Sequence, residues 1–113
     1  MGKLLLDTDV LIDHLRGHRQ LVADDAAISV VTRAELFAGD ERQEPAIGAL
    51  LADYDEVGVD TRIARRAGRV KRQTGLKIAD ALIAATALEH ELPLMTRNRR
   101  HFEHVAGLVL HTP

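Results

Sequence analysis

Cysteine is absent from the 113-residue chain, and with it go disulfides, thiolate nucleophiles and zinc–thiolate sites. A chain without cysteine suits a reducing cytoplasm, which is the expected compartment. Tryptophan is absent too, and Phe37, Tyr54 and Phe102 are the whole complement of large aromatics. So few rings argue against the stacking platforms on which single-strand-binding modules lay out bases. No apolar run approaches the ~20 residues of a membrane span. Acidic residues enter at Asp7, which breaks the order of a secretory signal. No repeat, low-complexity tract or Gly/Pro-rich linker divides the chain, so a single domain over 1–113 is expected. Its hydrophobic fraction of 46% is enough for a packed core rather than disorder.

What is present is unevenly placed. Residues 1–60 carry 5 Lys/Arg against 13 Asp/Glu, whereas residues 61–113 carry 10 against 4. A net charge of −2 therefore conceals an acidic half and a basic half. Such a division suits a protein that holds a cation with one part and a polyanion with another, although solvated helix faces of different charge produce the same pattern.

The chain is organised around KLLLDTDVLIDHL. Leu4–Leu6 is an unbroken apolar run, as in a strand buried on both faces of a parallel sheet, and the strand is read as Lys3–Leu6. Thr8 or Asp9 then caps a helix that carries Leu11, Ile12 and Leu15 inward and stops near Gly17. Ala26–Val31 reads as a second strand, followed by a helix over Thr32–Gly39 with Leu36 and Phe37 turned inward. Pro45 suits the first turn of a third helix, in which Ile47, Leu50, Leu51 and Tyr54 recur at helical spacing. Glu56–Val59 is a short strand, and Asp60 or Thr61 caps a basic helix ending near Gly75. Lys77–Leu92 is an alanine-rich helix, Pro93–Thr96 a fourth strand and Leu108–Leu110 a fifth. Strands alternating with helices through short loops give an α/β fold with a parallel sheet.

Three carboxylates stand out by position. Asp7 follows the first strand, at the sheet edge where α/β folds place their ligands. Glu35 lies one turn into the helix after the second strand, and Asp80 opens the alanine-rich helix. Each also has a purely structural role open to it. Asp7 can cap a helix, Thr32-Arg33-Ala34-Glu35 fits a capping box, and Asp80 can be an N-cap. Yet Asp80 sits among Ile78, Ala79, Ala81, Leu82 and Ile83, where a buried carboxylate is costly unless compensated. If the three converge, a divalent cation removes their mutual repulsion. Hard oxygen donors, with no thiols and no histidine expected at the same loci, favour Mg2+ or Mn2+. Such an ion activates water and stabilises charge building on a phosphate.

The blocks LLLDTDVLIDHLRG, ISVVTRAELFAG, IADALIAATALEHELPLMT and TRNRRHFEHVAGL resemble, in order and spacing, the motifs of PIN-domain ribonucleases. The resemblance is strongest to the VapC-type toxins of type II toxin–antitoxin pairs. It implies a PIN-like three-layer α/β/α sandwich with a five-stranded parallel sheet. It also implies metal-dependent endoribonucleolytic cleavage of structured RNA such as tRNA, a cognate antitoxin partner, and self-association into a homodimer. Carried over by position, Asp7 and Asp80 are the main metal ligands, and Glu35 is a further metal residue that holds or orients the attacking water, directly or through the ion. Asn98, in Thr96-Arg97-Asn98, stands where the family often has a fourth acid, and supplies an oxygen without a charge. Asp9 is an outer-shell ligand or a helix cap. Thr96 is placed to bond a carboxylate or a phosphate.

The basic segments have separate readings. In the helix around Arg62–Arg72, Ile63, Ala67 and Val70 form one stripe and arginines cover the rest. Arg65, Arg69 and Arg72 are either a solvated face or phosphate contacts. Arg97, Arg99 and Arg100, next to Asn98, are the better-placed RNA contacts. His14 and His18 have a metal-like spacing, but Gly17 breaks the helix between them and they read as surface residues. His101 and His104 have a zinc-like spacing without a third ligand and read as surface residues or RNA contacts. Three alternatives compete: a PIN nuclease of ordinary RNA processing, an RNA-binding module with an inactive site, and a phosphatase of the haloacid-dehalogenase type. The last needs a late lysine and a later acidic pair. The final lysine is Lys77, and Glu103 is the one acid after Leu92.

Overall fold

The computed structural model describes residues 3–17 and 25–113, so His18 lies outside the described residues. Five strands, all parallel among the described residues, form one sheet: β1 (Leu4–Leu6), β2 (Ala26–Ser29), β3 (Asp55–Val57), β4 (Leu94–Met95) and β5 (Leu110–His111). Their spatial order is β3-β2-β1-β4-β5. The chain builds outward from β1 in one direction, then crosses to the other side for β4 and β5. The order therefore reverses between β1 and β4, the place where doubly wound sheets open a crevice at their carboxyl edge.

The helices are α1 (Thr8–Leu15), α2 (Val30–Phe37), α3 (Glu44–Leu51), α4 (Thr61–Thr74), α5 (Ile78–Glu89) and α6 (Arg99–Phe102). Alternation along the strands divides them into two layers. Leu5, Ala27 and Leu94 pack with Ile63, Ala67 and Val70 of α4, Ile83 and Ala84 of α5, and Phe102 of α6. Leu6, Ala26 and Ile28 turn to the opposite face and pack with Leu11, Leu36, Ile47 and Leu51. The result is a three-layer α/β/α sandwich. The alanines of α5 let that helix lie close to the sheet, and Ala81, Ala84, Ala85 and Ala87 are fully enclosed.

Several boundaries differ from the sequence reading, each for a local reason. Val30 and Val31 look like strand residues but open α2, because the Ser29 hydroxyl accepts the Val31 N–H at 3.0 Å and caps the helix there. Thr32 is thus inside α2 and not its cap, and Phe37 is exposed rather than inward. The cap of α1 is Asp7, not Thr8 or Asp9: its carboxylate accepts the Thr8 N–H at 2.8 Å. Lys77 is the N-cap of α5 and leaves Asp80 inside the first turn. A 3-10 turn at Glu41–Gln43 and the short α6 carried no periodic signal. The basic helix α4 runs as expected, from the Asp60 cap to Gly75, whose φ of 79° supplies the left-handed stop. Gly17, with φ 73°, plays the same part after α1.

Candidate active site

Asp7 is the last residue before α1 and leaves β1 at the switch point. Packing of Leu5 and Leu6 on opposite faces of the sheet fixes the strand, so the direction of Asp7 is set by the core. From the adjacent strand end, Thr96 shares its one hydroxyl proton between Asp7 Oδ2 at 2.9 Å and the more distant Asp9 Oδ2 at 3.3 Å. The Arg97 N–H reaches Asp9 Oδ1 at 3.3 Å. Asp9 thereby ties α1 to the turn after β4. The same two elements are clamped again by Arg97, whose Nη1 lies 3.0 Å from Oδ1 of the buried Asp13.

Glu35 projects from α2. The capping-box alternative required it to reach back to Thr32. Instead its Oε1 accepts the Thr8 hydroxyl at 2.6 Å. Thr8 Oγ1 also lies 3.0 Å from Thr32 Oγ1. A hydroxyl carries one proton, so Thr32 donates to Thr8 and Thr8 to Glu35. This relay through fully buried Thr32 holds Glu35 against α1. Asp80, from α5, accepts a hydrogen bond at Oδ2 from His101 Nε2 at 2.9 Å.

These side chains share one cleft of about 250 Å3, lined by Asp7, Asp9, Glu35, Asp80, Asn98 and His101. Every carboxylate the sequence singled out is there, together with Asn98. Thr8 also lines it and was passed over, because a threonine beside a helix start reads as a cap. His101, read as a surface residue, belongs to the cleft wall. Its signal lay in the spacing Asn98 to His101, which a short helix turns to one side. His104 stands apart, exposed beside Glu103. Asn98 occupies the N-cap of α6 without a side-chain capping bond, which leaves its amide to the cleft.

The electrostatics are those of a site short of positive charge. Burial pushes the Asp7 carboxyl up, Asp9 and Asp80 add their repulsion, and the hydrogen bonds from Thr96 and Thr8 only partly offset this, leaving it at about 7. The donor set is wholly hard oxygen apart from His101, which fits Mg2+ or Mn2+. Among the described residues, however, no three His, Asp or Glu side chains form a closed ligand group. The carboxylates of Asp7, Glu35 and Asp80 are instead held by threonines and a histidine.

The arginines distribute differently. Arg99 and Arg100 are exposed beside the cleft, with Arg99 Nη1 3.3 Å from the Leu110 carbonyl. Arg62 and Arg66 of α4 are engaged by Glu89, at 3.2 Å and 2.7 Å. Arg65, Arg69 and Arg72 are exposed and make no ion pair among the described residues.

The PIN domain family model matches residues 4–108. Ribonuclease VapC1 of Methanocaldococcus jannaschii is 34% identical over 109 residues, covering 90% of this chain and 80% of that protein. Ribonuclease VapC10 of Mycobacterium tuberculosis is 40% identical over 117 residues, covering 88% and 85%. Among solved structures, a toxin–antitoxin complex from Klebsiella pneumoniae superposes with a TM-score of 0.79 at 31% identity, covering 94% of this chain and 95% of that one. Matched over nearly its whole length, and with an acidic cleft at the switch point of its sheet, the chain belongs to the PIN-domain family, on its VapC branch.

Proposed function

We propose that the protein is a Mg2+-dependent endoribonuclease and the toxin of a toxin–antitoxin pair. The observation that carries the reading is the meeting of Asp7, Glu35 and Asp80, from three separate elements, in one cleft. The residues that would hold a divalent cation are Asp7 and Asp80, with the Asn98 amide oxygen beside them and Asp9 supporting through Thr96. When bound, Mg2+ or Mn2+ supplies a Lewis acid for the scissile phosphate and lowers the pKa of a coordinated water. Glu35, held at Oε1 by Thr8, would use its other oxygen to orient the attacking water and accept its proton. Burial and the neighbouring carboxylates push Asp7 up to about 7, and a bound cation would favour its charged form.

RNA would approach over the exposed Arg99 and Arg100, with the open side of Arg97 and the row Arg65, Arg69 and Arg72 as further phosphate contacts. The Klebsiella pneumoniae neighbour is a toxin–antitoxin complex. A second groove, of about 310 Å3, adjoins the cleft through Ile12 and Glu35 and is floored by Leu36 and Ile47. An antitoxin segment lying there would bring an arginine onto the acidic cluster, where a guanidinium satisfies carboxylates bidentately.

Purified protein incubated with total RNA is expected to cut it with Mg2+ or Mn2+ and to leave it whole in EDTA. RNA binding without cleavage in either metal would overturn the nuclease reading in favour of an inactive module. Release of phosphate from a small phosphomonoester would favour the phosphatase. The toxin role predicts growth arrest on expression alone, relieved by co-expressing the gene immediately upstream.

A further inference from the structure

Asp80 lacks the support that its position suggests. It lies in the first turn of α5, but the N-cap is Lys77, which makes no side-chain capping bond. Among the described residues, the hydrogen bond to its carboxylate comes from His101. A carboxylate accepts and does not donate, so the imidazole presents Nε2–H to Asp80 Oδ2. The ring is not a loose surface group. His101 is the third residue after the Asn98 cap, its backbone N–H bonded to the Asn98 carbonyl at 3.1 Å. Its edge packs on Phe102 at a centroid distance of 5.2 Å and an interplanar angle of 87°. Phe102 in turn is 1% exposed, rooted in the core beneath α5.

We infer that His101 is a positioning residue: it fixes Asp80 through Oδ2 and so leaves Oδ1 for the divalent cation. The inference rests on the metal-dependent reading above. Carboxylates that bind metals are themselves hydrogen-bonded by neighbouring groups, and removal of such a neighbour weakens metal binding by roughly 10- to 100-fold. Three residues, Thr96 to Asn98, separate β4 from α6. The short helix carries Asn98 and His101 on one side, so the turn after β4 lends one group to the cation and another to the residue opposite it.

The test is calorimetric titration of Mn2+ into the intact apo protein, comparing parent, His101→Ala and His101→Gln, with circular dichroism to verify folding. His101→Ala is expected to weaken the Mn2+ dissociation constant by about tenfold or more, and His101→Gln, which keeps an N–H near the same place, to stay within about threefold of the parent. Equal affinity in parent and His101→Ala overturns the inference. Tighter binding in His101→Ala also overturns it, because His101 would then be competing with the cation for Asp80. A parent that binds no Mn2+ overturns the metal-dependent reading itself, which separates that failure from this one.

Discussion

Asp7 serves two masters, the helix that begins after it and the cleft into which it opens. As a cap it accepts the Thr8 N–H, and as a cleft wall it meets Asp9 and Asp80 in a nearly dry environment. In the metal-free protein its pKa lies near 7 instead of 3.8. An acid whose folded pKa is raised stabilises the fold fully below its unfolded pKa, and that contribution is lost as pH rises through the folded one. Chemical denaturation of the metal-free protein should therefore show stability falling by on the order of 3 kcal/mol as pH rises from about 4 to about 8. Asp7→Asn should flatten this fall. The same substitution, or Asp80→Asn, should reduce RNA cleavage by ~100-fold or more, beyond the loss expected of a mere supporting residue. Retained circular dichroism would show that the fold survives, and cleavage at the parent's rate would remove these residues from the metal site.

Among the elements, α4 and α6 carry the arginines and the anchor that separate functional from structural readings. Helix α4 buries Ile63, Ala67 and Val70 and spends Arg62 and Arg66 on Glu89, at the end of α5 remote from Asp80. Arg65, Arg69 and Arg72 are left facing water over a span of about 10 Å, at 1.5 Å per residue. If they touch phosphates, replacing all three by alanine should lower the slope of log binding constant against log salt by about 2 to 3. An unchanged slope would make them an ordinary solvated face. Helix α6 has four residues and little stability of its own, so Phe102 must anchor it. Phe102→Ala should cost ~3–5 kcal/mol in denaturant titrations, because the cavity opens beneath α5 as well.

At the scale of the whole molecule, the sheet order decides where charge gathers. Because the order reverses between β1 and β4, the ends of those strands face a gap that no crossover fills, and the first turns of α1, α5 and α6 gather around it. Acidic side chains from opposite ends of the chain are forced together there, a folding cost that a bound cation would remove. Saturation with Mn2+ at a hundred times its dissociation constant should then stabilise the fold by about 2.7 kcal/mol, read as a raised melting temperature. Asp80→Asn should melt at the same temperature with and without the metal. A parent indifferent to Mn2+ would mean that the acids are sustained by their hydrogen bonds alone.

The layering was written in the sequence. LLL at Leu4–Leu6 can only be a strand covered on both sides, and the stripe of Ile63, Ala67 and Val70 can only be the inner face of a helix, since water would otherwise meet that surface. The positions of Asp7 at a strand end, of Asp80 in a first turn and of Glu35 within α2 were legible for the same local reasons. Their partners were not. That Thr8 would hold Glu35, that His101 would hold Asp80, and that Ser29 rather than Thr32 would start α2 are matters of distance between segments that periodicity does not encode. Hydrophobic pattern reports which side of an element is dry. Which polar groups meet across the gap depends on how several elements are set against one sheet, and only the assembled fold decides that.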